Sequence, residues 1–230
     1  MTVAGWVGTE ESWSDFVPKW QMALGKRRNL HMTDLRWNQH RTRRLLERLG
    51  PIPHESGLES AMGGVRFGDY EDLLPDDDAR RLHAGYMACL HPMVIQLMKG
   101  FPRTERFEFT FEEQKQYAPV VEQALSVLCH REAFVGQTLL NGEMFFAPDG
   151  RPRIAKWSFV PKGSTIMIDP ADYLAFAIRE ANTSPRSKKT QWCLPMLNSG
   201  DRSAYGMLLN RQQARRIVRR AQILNWLTGV

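Results

Sequence analysis

Residues 109–114, Phe-Thr-Phe-Glu-Glu-Gln, close an alternating stretch in two carboxylates. Phe107, Phe109 and Phe111 fall on one side and Glu108, Thr110 and Glu112 on the other, the period of a strand. Glu112 and Glu113 therefore stand at a strand's C-terminal end, where ligands gather in open α/β sheets. A carboxylate there suits a hard cation such as Mg²⁺, which takes oxygen donors and keeps several waters. Asp172 is a second acid in a telling place, the first turn of an expected helix, among Ala171, Tyr173, Leu174, Ala175 and Phe176. A strand-end acid and a helix-start acid together fit two-metal phosphodiester chemistry, in which carboxylates hold two cations about 4 Å apart. Each also has a plainer reading. Glu112 and Glu113 could simply begin the next helix and Asp172 could face its own helix dipole, with Asp169 as N-cap. In His31-Met32-Thr33-Asp34, Asp34 is a further candidate for the chemistry, or Thr33 or Asp34 caps the following helix. The remaining histidines, His40, His54, His83, His91 and His130, show no metal-ligand spacing.

Positive charge is clustered. The segment 211–227 reads as a helix capped by Asn210, with Gln213 in the capping-box position. Ala214, Ile217, Val218, Ala221 and Leu224 fall on one face, and Arg211, Arg215, Arg216, Arg219 and Arg220 on the opposite half. Those five guanidiniums could track phosphates of a nucleic acid or pair with acids elsewhere. Arg41, Arg43, Arg44 and Arg48 form a second cluster, and Arg186, Lys188 and Lys189 a third. The whole chain carries 31 Lys plus Arg against 25 Asp plus Glu, a net +6, compatible with a polyanionic partner without demanding one.

The elements that must position these groups alternate along 230 residues, a one-domain length. A strand is expected over 2–7. A helix over 10–24 follows, with Thr9 as N-cap and Pro18 kinking or splitting it. Further helices are expected over 33–49, 79–98, 113–129 and 171–180, and strands over 64–67, 106–112, 154–160 and 164–168. Residues 181–204 read as a polar loop. This alternation predicts one α/β domain. With 43% hydrophobic and 24% charged residues, the composition excludes a disordered tail or a fibre. No apolar run is long enough to span a membrane, and no secretory signal opens the chain. Cys89, Cys129 and Cys193 lack any Cys-x-x-Cys spacing and suit buried thiols in a cytoplasmic protein.

Several motifs, in order, resemble the domain-of-unknown-function 3800 family. They are Val3-Ala4-Gly5-Trp6-Val7, Trp13-x-x-Phe16-x-x-x-Trp20, His31-Met32-Thr33-Asp34, Val65-Arg66-Phe67-Gly68-Asp69-Tyr70, Phe111-Glu112-Glu113-Gln114-x-x-Tyr117 and Pro170-Ala171-Asp172-Tyr173-Leu174-Ala175-Phe176. The resemblance implies a ribonuclease H-like mixed sheet flanked by helices, with clustered acids suited to Mg²⁺ or Mn²⁺. On the matching positions, Glu112 and Asp172 would bind the metal, assisted by Glu113 or Asp34, in a metal-dependent phosphodiesterase or nuclease. The alternative it leaves open is a catalytically inactive module of the same fold that binds nucleic acid or a protein. This chain has Asp169-Pro170 where the family commonly has Gln before Ala-Ala-Asp. Family members normally begin with a strand ending in Asp-Glu-Ser-Gly. The resemblance places Met1 after that motif, so the sheet is expected to be short of its first, central strand.

Overall fold

The computed structural model describes residues 1–65, 78–134, 142–198 and 205–209, together with Gln212. It is an α/β chain in two compact units, a helical unit of Thr2–Met62 with Pro161–Gly206 and a strand-pair unit of Met1, Gly63–Val160 and the chain from Met207 onward. Its strands form a three-stranded sheet of order β1 (Thr2–Val7), β2 (Glu59–Val65), β5 (Tyr205–Leu209) and a two-stranded sheet of β3 (Phe107–Glu112) and β4 (Ile154–Val160).

In the helical unit, β1 (Thr2–Val7) and α1 (Glu10–Leu24) have the expected limits. The Thr9 hydroxyl accepts the Ser12 N–H at 3.2 Å, and Gly25, at φ 64°, closes the helix by donating to the Gln21 and Met22 carbonyls. The helix runs unbroken through Pro18. The helix expected over 33–49 begins seven residues later than that. Met32–Asp34 is a single 3₁₀ turn, Leu35 is extended, and α2 spans His40–Leu49. Neither Thr33 nor Asp34 caps it; the Thr42 hydroxyl instead donates to the Arg36 carbonyl at 2.8 Å, tying the first turn of α2 to the incoming loop. The short helix α3 (Ile52–Glu55) follows the break at Gly50 and Pro51, and β2 covers Glu59–Val65. Met1 and Val65 exchange both backbone hydrogen bonds, so β1 and β2 are antiparallel.

No strand forms over 164–168. Those residues make turns whose Ile166 and Ile168 carbonyls accept the Asp169, Ala171 and Asp172 N–H groups, leading directly into α6 (Asp169–Thr183). The segment read as a polar loop contains a helix, α7 (Lys188–Asn198). Ser187 accepts the Thr190 N–H at 3.1 Å at its start, and Trp192, Cys193 and Met196 are buried. Phe16 and Trp20 of α1, Leu46 and Leu49 of α2, Tyr173 and Ala177 of α6, and Cys193 of α7 share one core.

In the strand-pair unit, α4 (Asp78–Gly100) runs through Pro92, and β3 (Phe107–Glu112) pairs in parallel with β4 (Ile154–Val160). Phe107, Phe109 and Phe111 line one face as expected, and Phe111 stacks on Phe159 across the pair at 5.6 Å. The next helix does not start at Glu113. The Glu113 N–H continues the ladder to the Val160 carbonyl at 2.7 Å, and α5 spans Ala118–Leu128, with Pro119 in its first turn. The short strand β5 (Tyr205–Leu209) had no counterpart among the expected elements. The motif 66–70 and the Arg-bearing segment 211–227, with Arg211, Arg215, Arg216, Arg219 and Arg220, lie outside the described residues.

All three cysteines are free thiols; Cys89 and Cys193 are buried, and burial pushes the Cys193 thiol up to about 12. Among the described residues, no helix is long and apolar enough to cross a membrane.

Candidate functional site

The polar centre of the helical unit is the first turn of α6. Its two acids act sideways on the segment 30–32 rather than along their own helix. Asp169 is buried and does not cap α6. Its Oδ2 accepts the Leu30 N–H at 2.7 Å and the Trp20 indole N–H at 3.4 Å. Burial pushes this carboxyl up to about 6, against the pull of those two donors; Asp172 nearby raises it further and His31 lowers it.

One turn on, Asp172 Oδ2 lies 2.7 Å from His31 Nδ1 and accepts the Met32 N–H at 3.0 Å. A carboxylate oxygen can only accept here, so Nδ1 carries a proton, and Nε2 makes no hydrogen bond among the described residues. Both side chains are partly open to solvent, 20% for His31 and 28% for Asp172. Asp172 Oδ1 takes no hydrogen bond among the described residues. The arrangement is a carboxylate that fixes the tautomer and orientation of a partly exposed histidine. Such a histidine can take a proton at Nε2 or return one.

Asp34 stands beside this pair in the chain. It is exposed, its Oδ1 accepts from the Thr33 hydroxyl at 3.3 Å, and its N–H donates to the His31 carbonyl. Glu112 is half-buried and Glu113 exposed at the C-terminal end of β3, and they belong to the other unit. Since α5 starts at Ala118, neither opens a helix, and the dipole reading of these two acids is overturned. The structure thus joins Asp172 to His31, which had no assigned role, across 141 residues of sequence. No local signal could have given that pairing.

Among the described residues, no three His, Cys, Asp or Glu side chains gather as a metal site. What the site offers a cation is a single carboxylate oxygen, Asp172 Oδ1.

Compared with known proteins, the chain matches no family model, and no match is found among curated proteins or solved structures.

The raised Asp169 pKa has a sign. A carboxyl that binds its proton more tightly when folded favours the fold below its unfolded value of 3.8, and that contribution is lost as pH rises through about 6. Asp169→Asn, which stays neutral, should therefore gain stability relative to wild type between pH 4 and 7. Thermal melts of both proteins at pH 4.5 and 7 measure it; a constant difference between the two would contradict it.

Proposed function

We propose that this protein is a phosphodiesterase of nuclease type, built on a ribonuclease H-like fold of the domain-of-unknown-function 3800 kind, with Asp172 and His31 at its centre. The observation that carries the reading is the Asp172–His31 pair: an oriented, partly exposed imidazole whose Nε2 makes no hydrogen bond among the described residues, beside a carboxylate with one open oxygen. The fold assignment rests on the resemblance of the sequence motifs; the antiparallel β1–β2 pair and the parallel β3–β4 pair belong to two separate sheets.

In this reading Asp172 Oδ1 would offer the ligand for Mg²⁺ or Mn²⁺, with Asp34 of the same unit as the further acid. The cation supplies Lewis-acid stabilisation of charge on the phosphoryl oxygens. His31 takes a proton from the attacking water or gives one to the departing oxygen through Nε2, while Asp172 holds the ring in place.

Cleavage of end-labelled single- and double-stranded DNA and RNA, with Mg²⁺ or Mn²⁺, tests the reading. Wild type should cleave only with the metal, and Asp172→Asn and His31→Ala should each lose about 100-fold or more. Equal trace cleavage by wild type and Asp172→Asn overturns it.

The use of Asp172 to hold the Met32 backbone favours a second reading, an inactive module of the same fold that binds nucleic acid or a protein. Binding that is salt-sensitive and indifferent to EDTA, without cleavage, selects it.

A further inference from the structure

Beyond the Asp172–His31 pair, α6 carries its next same-face residues, Phe176 and Arg179, at the spacing of one and two turns. The segment that Asp169 and Asp172 hold at residues 30–32 continues along this stripe. Trp37 stacks on Phe176 with ring centroids 5.0 Å apart and planes 10° from parallel, and Trp192 of α7 lies 6.1 Å from Trp37. Phe176 and Trp192 are buried, while Trp37 is half-buried. The trio is ringed by cations: Lys189 Nζ is 5.6 Å from the Trp37 ring, Lys188 Nζ 4.8 Å from Trp192 and the Arg179 guanidinium 4.9 Å from Phe176.

The surrounding charge is mainly positive; the acids that flank these stretches are Asp34, Glu47, which pairs with Arg43, and Glu180, which pairs with Arg179. Residues 35–46 and 181–198, which supply Trp37 and Trp192, contain no Asp or Glu. They contribute Arg36, Arg41 and Arg44 on one side and Arg186, Lys188 and Lys189 on the other, and α2 packs against α7 within the same unit. Of the three cations over the rings, Arg179 has an acidic partner, Glu180, at 3.3 Å. Lys188 and Lys189 have none among the described residues, and their long side chains can swing from the rings to a phosphate at little cost.

We propose that this surface, centred on Trp37 and the start of α7, binds single-stranded nucleic acid. The cations follow the phosphates, and a base takes over the exposed part of the Trp37 ring from Lys189. A half-buried ring held flat by two aromatic neighbours is a stacking platform, and an unpaired strand offers bases to it that a duplex keeps stacked inside. The inference shares the nucleic-acid ligand of the preceding section but rests on different residues and on no metal or hydrolysis.

The test is fluorescence anisotropy of a labelled mixed-sequence DNA 15-mer, single-stranded or annealed, on the full chain in EDTA over a range of salt. EDTA silences any metal-dependent cleavage, so failure of the nuclease reading leaves this measurement intact. Wild type should bind the single strand at least about tenfold more tightly than the duplex. Lys188→Ala/Lys189→Ala, two changes on the solvent side of a helix, should weaken single-strand binding about tenfold and flatten its salt dependence by about 1.4 in log–log slope, two phosphates at roughly 0.7 each. Trp37→Leu should lose the single-strand preference, and Trp37→Phe should restore most of it. Equal binding by wild type and the double-lysine variant overturns the proposal. So does a duplex bound as tightly as the single strand, or polyglutamate competing as well as unlabelled single strand, which would assign the surface to an acidic protein.

Discussion

Replacing Arg153 with Met is expected to destabilise the strand-pair unit by about 3–5 kcal/mol. Arg153 has no solvent exposure, and all five of its N–H groups are used on carbonyls. Nε donates to Glu105 at 3.0 Å, Nη1 to Met98 at 2.6 Å and Met144 at 3.0 Å, and Nη2 to Phe101 at 3.1 Å and Pro102 at 2.9 Å. The guanidinium also lies 5.3 Å from the Phe107 ring. Met98 belongs to the last turn of α4, whose carbonyls have no partner within the helix and whose dipole favours a cation. One side chain from the residue before β4 thus ties together the end of α4, the 101–105 turn and the 142–145 turn.

Burial, helped by Arg103, draws its pKa down, but a guanidinium stays charged, and the carbonyl dipoles take the place of a carboxylate. Met of similar length fills the space and leaves those carbonyls without donors, each costing about 1–3 kcal/mol where water cannot reach. Arg153→Lys keeps the charge with three donors and should recover only part of the loss. Urea denaturation followed by tryptophan fluorescence and circular dichroism measures both. A midpoint for Arg153→Met within experimental error of wild type would refute the account.

The second large effect is expected at Gly63, in β2. A methyl there would lie 1.8 Å from the Cys89 carbonyl oxygen and 2.7 Å from its carbon, both backbone atoms of α4. Strand and helix approach each other this closely only because position 63 has no Cβ. Nothing flexible can give way, so Gly63→Ala must push the helix off the strand. A cost of about 3 kcal/mol is expected, and at roughly 2–4 °C per kcal/mol the melting point should fall by about 6–12 °C. Gly5→Ala in β1 is the control, because a methyl at that position meets nothing within 4 Å. A drop of similar size in both variants would show that the Cys89 contact is not the cause.

Much of the local structure was legible in the sequence. β1, α1 and β4 start and stop where side-chain period, a threonine cap and a terminal glycine say they should, since these signals act over a few residues. The misreadings share a cause in packing across the chain. α7 reads as loop in the sequence because its exposed face is polar and basic; Trp192, Cys193 and Met196 count as a helix face only once α2 and α6 are there to bury them. The late start of α2 follows from Trp37 being drawn onto Phe176, and that of α5 from Glu113 staying in the β3–β4 ladder.

The same division holds for the candidate site. The sequence by itself determined the α/β alternation and singled out Asp172 at a helix start and Glu112 at a strand end. Residue type and period are local properties, and they sufficed. That Asp172 serves His31, that Asp169 is a buried anchor for Leu30 rather than a cap, and that Arg153 closes five carbonyls were decided only by the tertiary structure. Each joins groups far apart in sequence, and the physical reason is common to all three. A buried or half-buried polar group must find a partner wherever the fold brings one, and no short-range pattern records which it will be.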